Sequence, residues 1–304
     1  MVYVWAGIAV NFIWGIAFLV PYILPDTSPV LIVFGRYFVF GLVSFCVMAR
    51  VKRCVARVHW PRAMLLAFTG NVGYFLLMAW SVQLAGVPIA ALIIGTLPVV
   101  IALYGNALER TVKNRHLMVP LALILFGLLT INSREFFVVK TDLAFQNLLL
   151  GVGLAVGALV LWAYYAIQNA LYLKQHPDLN SVDWANAIGV ACLIQVSIGL
   201  AAYLIFSENN LIARVGPDVN KLIGLSVVMG VVVSWLATHW WNLASRHISM
   251  VLLGQLIVFE TISSLIYAAI ADQTWPHPIV FVSAMAVVSG VVLSVRMLGK
   301  AQKS

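Results

Sequence analysis

An all-α integral membrane protein, with ten transmembrane helices arranged as two inverted five-helix repeats, is the fold class this sequence predicts. Three observations lead there. Of the 304 residues, 63% are hydrophobic and 9% charged, with a mean hydropathy of +1.01. Soluble domains carry about 25% charged residues, so this little charge cannot cover a globule in water. The apolar residues form long unbroken runs rather than the dyad alternation of a barrel strand, which selects helices. Finally, features recur at one fixed offset along the chain: the step from Glu109 to Asp272 is also the step from Thr111 to Thr274 and from Gly127 to Gly290.

Ten apolar runs follow in order, at residues 3–24, 29–49, 61–84, 87–108, 116–132, 147–173, 184–206, 221–245, 248–271 and 277–298. A span needs about 20 residues at about 1.5 Å each to cross a core of about 30 Å. The first run lacks a basic leader and a cleavage pattern, and is expected to be a retained span. It carries Asn11, Trp14, Gly15 and Phe18 at helical spacing. Trp14 lies near mid-span, away from the interfacial aromatic belt, so it either lines a cavity or packs. The second run contains Arg36, expected to snorkel outward in preference to forming an ion pair. The third presents Asn71, Tyr74 and Met78 on one face, an amide and a phenol that need partners in hydrocarbon.

The fourth run, Val87 to Leu108, has 22 residues without a charge. Ala91 and Gly95, four apart, make one face smooth enough for close helix approach. Pro98 in mid-span removes a backbone hydrogen bond and is expected to bend the helix, acting as a hinge. The longest connection, around 133–146, divides the chain into a first repeat (1–135) and a second (136–304). The sixth run repeats the chemistry of the first and third with Trp162, Tyr165 and Asn169. The eighth holds His239 deep in the span, read either as a neutral histidine bonded to a backbone carbonyl or as a proton carrier. The ninth holds Gln255 and Glu260, the latter the one acid well inside any run. Glu260 is read either as a structural group bonded to Arg36, His239 or a backbone donor, or as a proton-coupling site.

Alternate connections differ sharply in charge. One set carries thirteen Lys and Arg, from Arg50 to Lys303, and the other only Arg134, Lys140, Arg214 and Lys221. The positive-inside rule then puts both termini in the cytoplasm. It also absorbs the net charge of +8, which in a soluble chain would suggest nucleic acid. Five spans per half is an odd number, so the second half enters the membrane upside down. Inverted halves rocking about a midplane site are a transporter architecture.

Particular residues carry a family resemblance: Leu97-Pro98-Val99 in the fourth span, the acid-x-Thr exits of spans four and nine, Phe259-Glu260-Thr261, and the pair Trp14-Gly15 and Trp162-Ala163. With these, the whole chain resembles the drug/metabolite transporter (DMT) superfamily of the EamA type. Thr261 stands where that family often has proline. The aromatic content of spans one, three and six resembles the YddG-type aromatic amino-acid exporters. The resemblance implies ten helices, a central cavity between the halves and export of small metabolites from a bacterial-type inner membrane.

The functional expectation is a secondary transporter exporting small amphipathic metabolites, chiefly aromatic and other apolar amino acids, by alternating access. Candidate substrate-binding residues are Asn11, Trp14, Tyr74, Met78, Trp162, Tyr165, His239, Gln255 and Glu260, with Pro98 as hinge. A cationic drug exporter of the same superfamily is the alternative, with Glu260 as counterion; an integral membrane enzyme or a channel is more distant. No P-loop, metal-ligand cluster or Ser/His/Asp arrangement is present, so no catalytic residue, metal or cofactor is expected. Cys46, Cys54 and Cys192 imply no disulfide framework. The partners are the small-molecule substrate and the lipid bilayer, not nucleic acid.

Overall fold

The computed structural model describes residues 2–18, 20, 23–24, 27–85, 90, 93–110, 112–138, 145–206, 219–271, 273 and 278–301. These are helical, without strands. In chain order the helices are α1 (Val2–Gly15), α2 (Pro29–Val51), α3 (Trp60–Ala67, a π-helical segment Phe68–Val72, then Gly73–Ala85) and α4 (Leu97–Glu109). Then come α5 (Asn114–Val138), α6 (Phe145–Gln175), α7 (Ser181–Phe206) and α8 (Val219–Val228, a π-helical segment Met229–Leu236, then Ala237–His247). The last two are α9 (Met250–Leu256 and Val258–Ala271) and α10 (Pro278–Ala301).

Among the described residues, five helices are long and apolar enough to cross a membrane: Val30–Val51, Arg57–Val82, Phe145–Gln175, Ser181–Ile205 and Val219–His247. Five shorter apolar helices accompany them, in α1, α4, α5, α9 and α10. Two of the short ones are short because the helix breaks. A turn at Gly95–Thr96 precedes α4, where the Thr96 hydroxyl donates to the Ile93 carbonyl at 2.7 Å. Pro98 therefore sits in the first turn of α4, not inside a continuous helix. Its missing N–H is one of those that a helix start leaves unpaired anyway, so it costs little there. The mid-helix bend expected from Pro98 is thus replaced by a break just ahead of it. In α9 the break falls at Ile257, between Leu256 and Val258. Carried back by the offset that relates Gly127 to Gly290, Ile257 falls on Ile94, one residue before the Gly95–Thr96 turn, so the two breaks lie within about a turn of matching places.

The same offset relates the π-helical segments. Carried forward by it, Phe68–Val72 falls inside Met229–Leu236. Packing follows suit: α2 lies on α7, α4 on the first part of α9, and α5 on α10, while α3 packs on α6 as α1 packs on α8. Exchanging the first five helices with the last five leaves these pairings unchanged. The α5–α10 contact is reciprocal in detail. A Cβ on Gly127 would lie 2.7 Å from the Ser283 carbonyl oxygen, and one on Gly290 would lie 2.7 Å from that of Pro120. Only glycine permits such backbone approach. Ala91, Thr111, Asp272 and Thr274, and the side chains of Phe18 and Thr261, lie outside the described residues.

Candidate functional site

A cavity opens among α1, α2, α3, α6, α8 and α9. The two π-helical segments shape it. In α3, Gly70 and Asn71 line the cavity, and a Cβ on Gly70 would strike the Tyr165 ring at 2.2 Å, so glycine alone lets that ring lie against the backbone. In α8, the π-helical segment supplies the Val233 carbonyl, which accepts from Trp14 Nε1 at 3.1 Å, and the Ser234 hydroxyl, which accepts from Arg36 Nε at 2.9 Å. Wider turns leave carbonyls off the regular ladder, and a neighbouring indole takes one up here.

The walls are aromatic. Trp162 packs against Tyr74 at 6.2 Å and Tyr165 at 6.0 Å between ring centroids, and Tyr37 meets Phe75 edge-on at 6.2 Å. Arg36 lies over Tyr37 and Phe75, its guanidinium carbon 5.1 and 5.3 Å from their centroids, within cation–π range. Glu260 lines the same cavity from α9. Among the described residues its carboxyl makes no ion pair; the one ion pair there joins Lys174 and Glu109.

Of the residues singled out from sequence, Trp14, Tyr74, Met78, Trp162, Tyr165 and Glu260 line this cavity together. Asn11, Gln255 and His239 do not. His239 is half-buried on another face of α8, with no partner for its Nδ1, and Thr238 lines the cavity in its place. The offset between the halves pairs Thr238 with the cavity-lining Phe75, which leaves His239 off that face. Asn11 is fully buried and donates from Nδ2 to the Gly7 carbonyl at 2.7 Å. Gln255 is fully buried too, and both its amide atoms lack a partner.

The structure also overturns the outward snorkelling expected of Arg36. The residue is 8% exposed and faces the cavity, because Ser234 and two aromatic rings hold it inward. Tyr37 and Phe75 join the site only as its neighbours. The available signal was that Arg36 is the one basic residue deep in a span, and intramembrane charges are functional by default. Among the described residues the Glu260 side chain hydrogen-bonds to neither Arg36, His239 nor a backbone donor, although the Arg36 charge acts on it across the cavity.

Below the cavity, Trp14, Trp162 and Trp241 form a triangle with ring centroids 5.9, 5.1 and 5.6 Å apart. Beyond it lies the end carrying Glu109 and Lys174. There Glu109 Oε1 accepts from Lys174 Nζ at 2.5 Å and Oε2 accepts from the Met250 backbone N–H at 2.8 Å. The carboxylate thus ties α4 and α6 to the positive N-terminus of α9.

Comparison with known proteins agrees with this architecture. A family description, EamA-like transporter family, matches residues 1–133. The inner membrane protein YtfF of Escherichia coli (strain K12) is 34% identical over 294 residues, covering 93% of this chain and 91% of that protein. The chain belongs to the EamA-like transporter family. A solved crystal structure, titled only as that of a protein, superposes with a TM-score of 0.79 at 16% identity, covering 98% of each chain, and attests the fold alone. For an EamA-like transporter, a cavity between the helices of two matching halves is the natural place for a small-molecule substrate.

Proposed function

We propose that this EamA-like protein is a secondary transporter that exports small amphipathic metabolites, aromatic and other apolar amino acids foremost, by alternating access between two inverted five-helix repeats. One observation carries the reading. An aromatic cavity presents a guanidinium, Arg36, and a carboxyl, Glu260, that do not pair with each other. Charges at mid-membrane cost at least about 2.5 kcal/mol each on insertion scales, so two charges held in one cavity without an ion-pair contact are suited to a ligand. An α-amino acid brings the complement: a carboxylate for Arg36, an ammonium for Glu260, and an apolar side chain for the rings of Trp14, Tyr74, Trp162 and Tyr165.

A lipophilic cation, the ligand of the alternative reading, would satisfy Glu260 but meet the Arg36 charge in the same space. The amino-acid reading is therefore preferred. Inner-membrane location, suggested by the name of the Escherichia coli relative, and cytoplasmic termini, suggested by the basic residues of alternate connections, complete it. The matched breaks, matched π-helical segments and reciprocal glycine contacts support the inverted repeat.

Counterflow in proteoliposomes tests the assignment. Vesicles loaded with each of the twenty amino acids should accumulate labelled phenylalanine best when the internal species is aromatic or apolar. Stimulation by a lipophilic cation, with none by any amino acid, would reverse the preference.

A further inference from the structure

At the tryptophan triangle and beyond it, four enclosed side chains hold polar atoms without a hydrogen-bond partner: Asn11 Oδ1, Trp241 Nε1, Asn242 Nδ2, and both amide atoms of Gln255. Stranded hydroxyls also occur at Ser44, Ser81, Ser245, Ser283 and Ser294, but a serine hydroxyl in a helix has the carbonyl of the preceding turn within reach. The two Gln255 amide atoms, the Asn11 oxygen and the indole N–H are left without a partner, while Asn242, whose Oδ1 accepts from Asn169 of α6, leaves only its Nδ2. A membrane interior retains groups of this kind where they are satisfied by water or in another conformation. They sit on α1, α8 and α9, which pack on one another.

The repeat gives this seam a counterpart. Counting back by the offset between the halves, Ser234 matches Asn71, Thr238 matches Phe75 and Trp241 matches Met78. All three first-half residues line the open cavity. The face of α8 that continues past Thr238 to Trp241 and Ser245 is thus the second-half equivalent of the cavity wall in α3. At the end of α4, Glu109 has both carboxylate oxygens engaged, one by Lys174 of α6 and one by the Met250 N–H that begins α9.

We propose that this seam is the closed half of the translocation route. It opens toward the Glu109 end when Glu109 releases Lys174 and Met250, and its stranded amides then receive water and the zwitterionic head group of the substrate. The proposal rests on the transport reading above and assigns Asn11 and Gln255 to the path rather than to the cavity.

Thiol accessibility tests it without any substrate. In a chain with Cys46, Cys54 and Cys192 replaced, Met78→Cys and Ser245→Cys are probed singly with a membrane-impermeant methanethiosulfonate from each face of oriented vesicles. With Glu109 intact, Met78→Cys should react only from the face opposite Glu109, and Ser245→Cys should stay unreactive. Adding Glu109→Gln removes the charge-assisted bonds and should speed Ser245→Cys labelling from the Glu109 face roughly tenfold or more, while slowing Met78→Cys. Lys174→Met removes the other partner and should produce the same exchange, separating release of the contact from misfolding of one variant. Ser245→Cys silent in both variants would leave the seam as packing. Ser245→Cys equally reactive with Glu109 intact would make it a static wet pocket. Either result overturns the proposal. A chain that shows the exchange but no amino-acid counterflow keeps the route and loses only the substrate assignment.

Discussion

Arg36→Gln puts the substrate assignment at greatest risk. The Arg36 Nε is already committed to Ser234 Oγ at 2.9 Å, and the guanidinium is braced over Tyr37 and Phe75. No protein acceptor among the described residues meets its two terminal nitrogens, which together match a carboxylate as a bidentate fork. Hydrogen bonds to charged groups contribute about 1.5–3 kcal/mol each. Losing one such interaction weakens substrate binding roughly ten- to hundredfold. The informative assay pairs phenylalanine with phenethylamine, which keeps the ring and the ammonium but lacks the carboxylate. In counterflow competition, Arg36→Gln should weaken phenylalanine by that factor and leave phenethylamine unchanged or improved. Arg36→Lys, which keeps the charge without the fork, should fall between. Equal weakening of both ligands would mean that Arg36 only braces the wall, and the zwitterion reading would fail.

Other substitutions probe separate parts of the architecture. Trp14→Ala and Trp162→Ala should lower the preference for aromatic over small side chains several-fold, since ring contacts add about 0.5–1.5 kcal/mol beyond burial, whereas a uniform loss would indicate packing damage. Glu260→Gln should fold and express normally, because no partner is lost, but should cut the discrimination between phenylalanine and its deaminated acid; a collapse in expression would restore the structural role. Gly127→Ala and Gly290→Ala should each destabilise the detergent-solubilised protein by about 1–3 kcal/mol, and by similar amounts, as read by thermal unfolding; a harmless substitution at either would refute the backbone contact. Cys54, exposed between α2 and α3, should react with an impermeant thiol reagent from the cytoplasmic face; reaction from outside would invert the topology.

Depth and spacing made much of the cavity legible. Trp14, Trp162, Tyr74, Met78, Tyr165 and Glu260 stand out in a sequence because large rings and an acid at mid-span have few ordinary explanations. The matching places of Gly127 and Gly290 were legible, because close helix approach restricts both positions to one residue type. Arg36 was misread because snorkelling depends on which face a helix turns outward, and an apolar run with no polar side does not encode that. His239 lies off the cavity face and Thr238 on it, as the offset that pairs Thr238 with the cavity-lining Phe75 requires. Pro98 was correctly a site of irregularity, but a sequence does not distinguish a kink within a helix from the start of a new one. Asn11 and Gln255, expected to bind the substrate, do not line the cavity; which buried polar groups a cavity reaches depends on tertiary packing alone.

The α5–α10 contact bears on how such a chain arises. Each half contributes both a glycine and the carbonyl that the other half's glycine requires. A surface that supplies both roles is self-complementary, in the manner of a two-fold dimer interface. Two copies of a single five-helix unit, facing oppositely, would already have met this way, and joining them end to end would have demanded no new contact. The two fasteners then became free to diverge separately, since damage at one leaves the other closed.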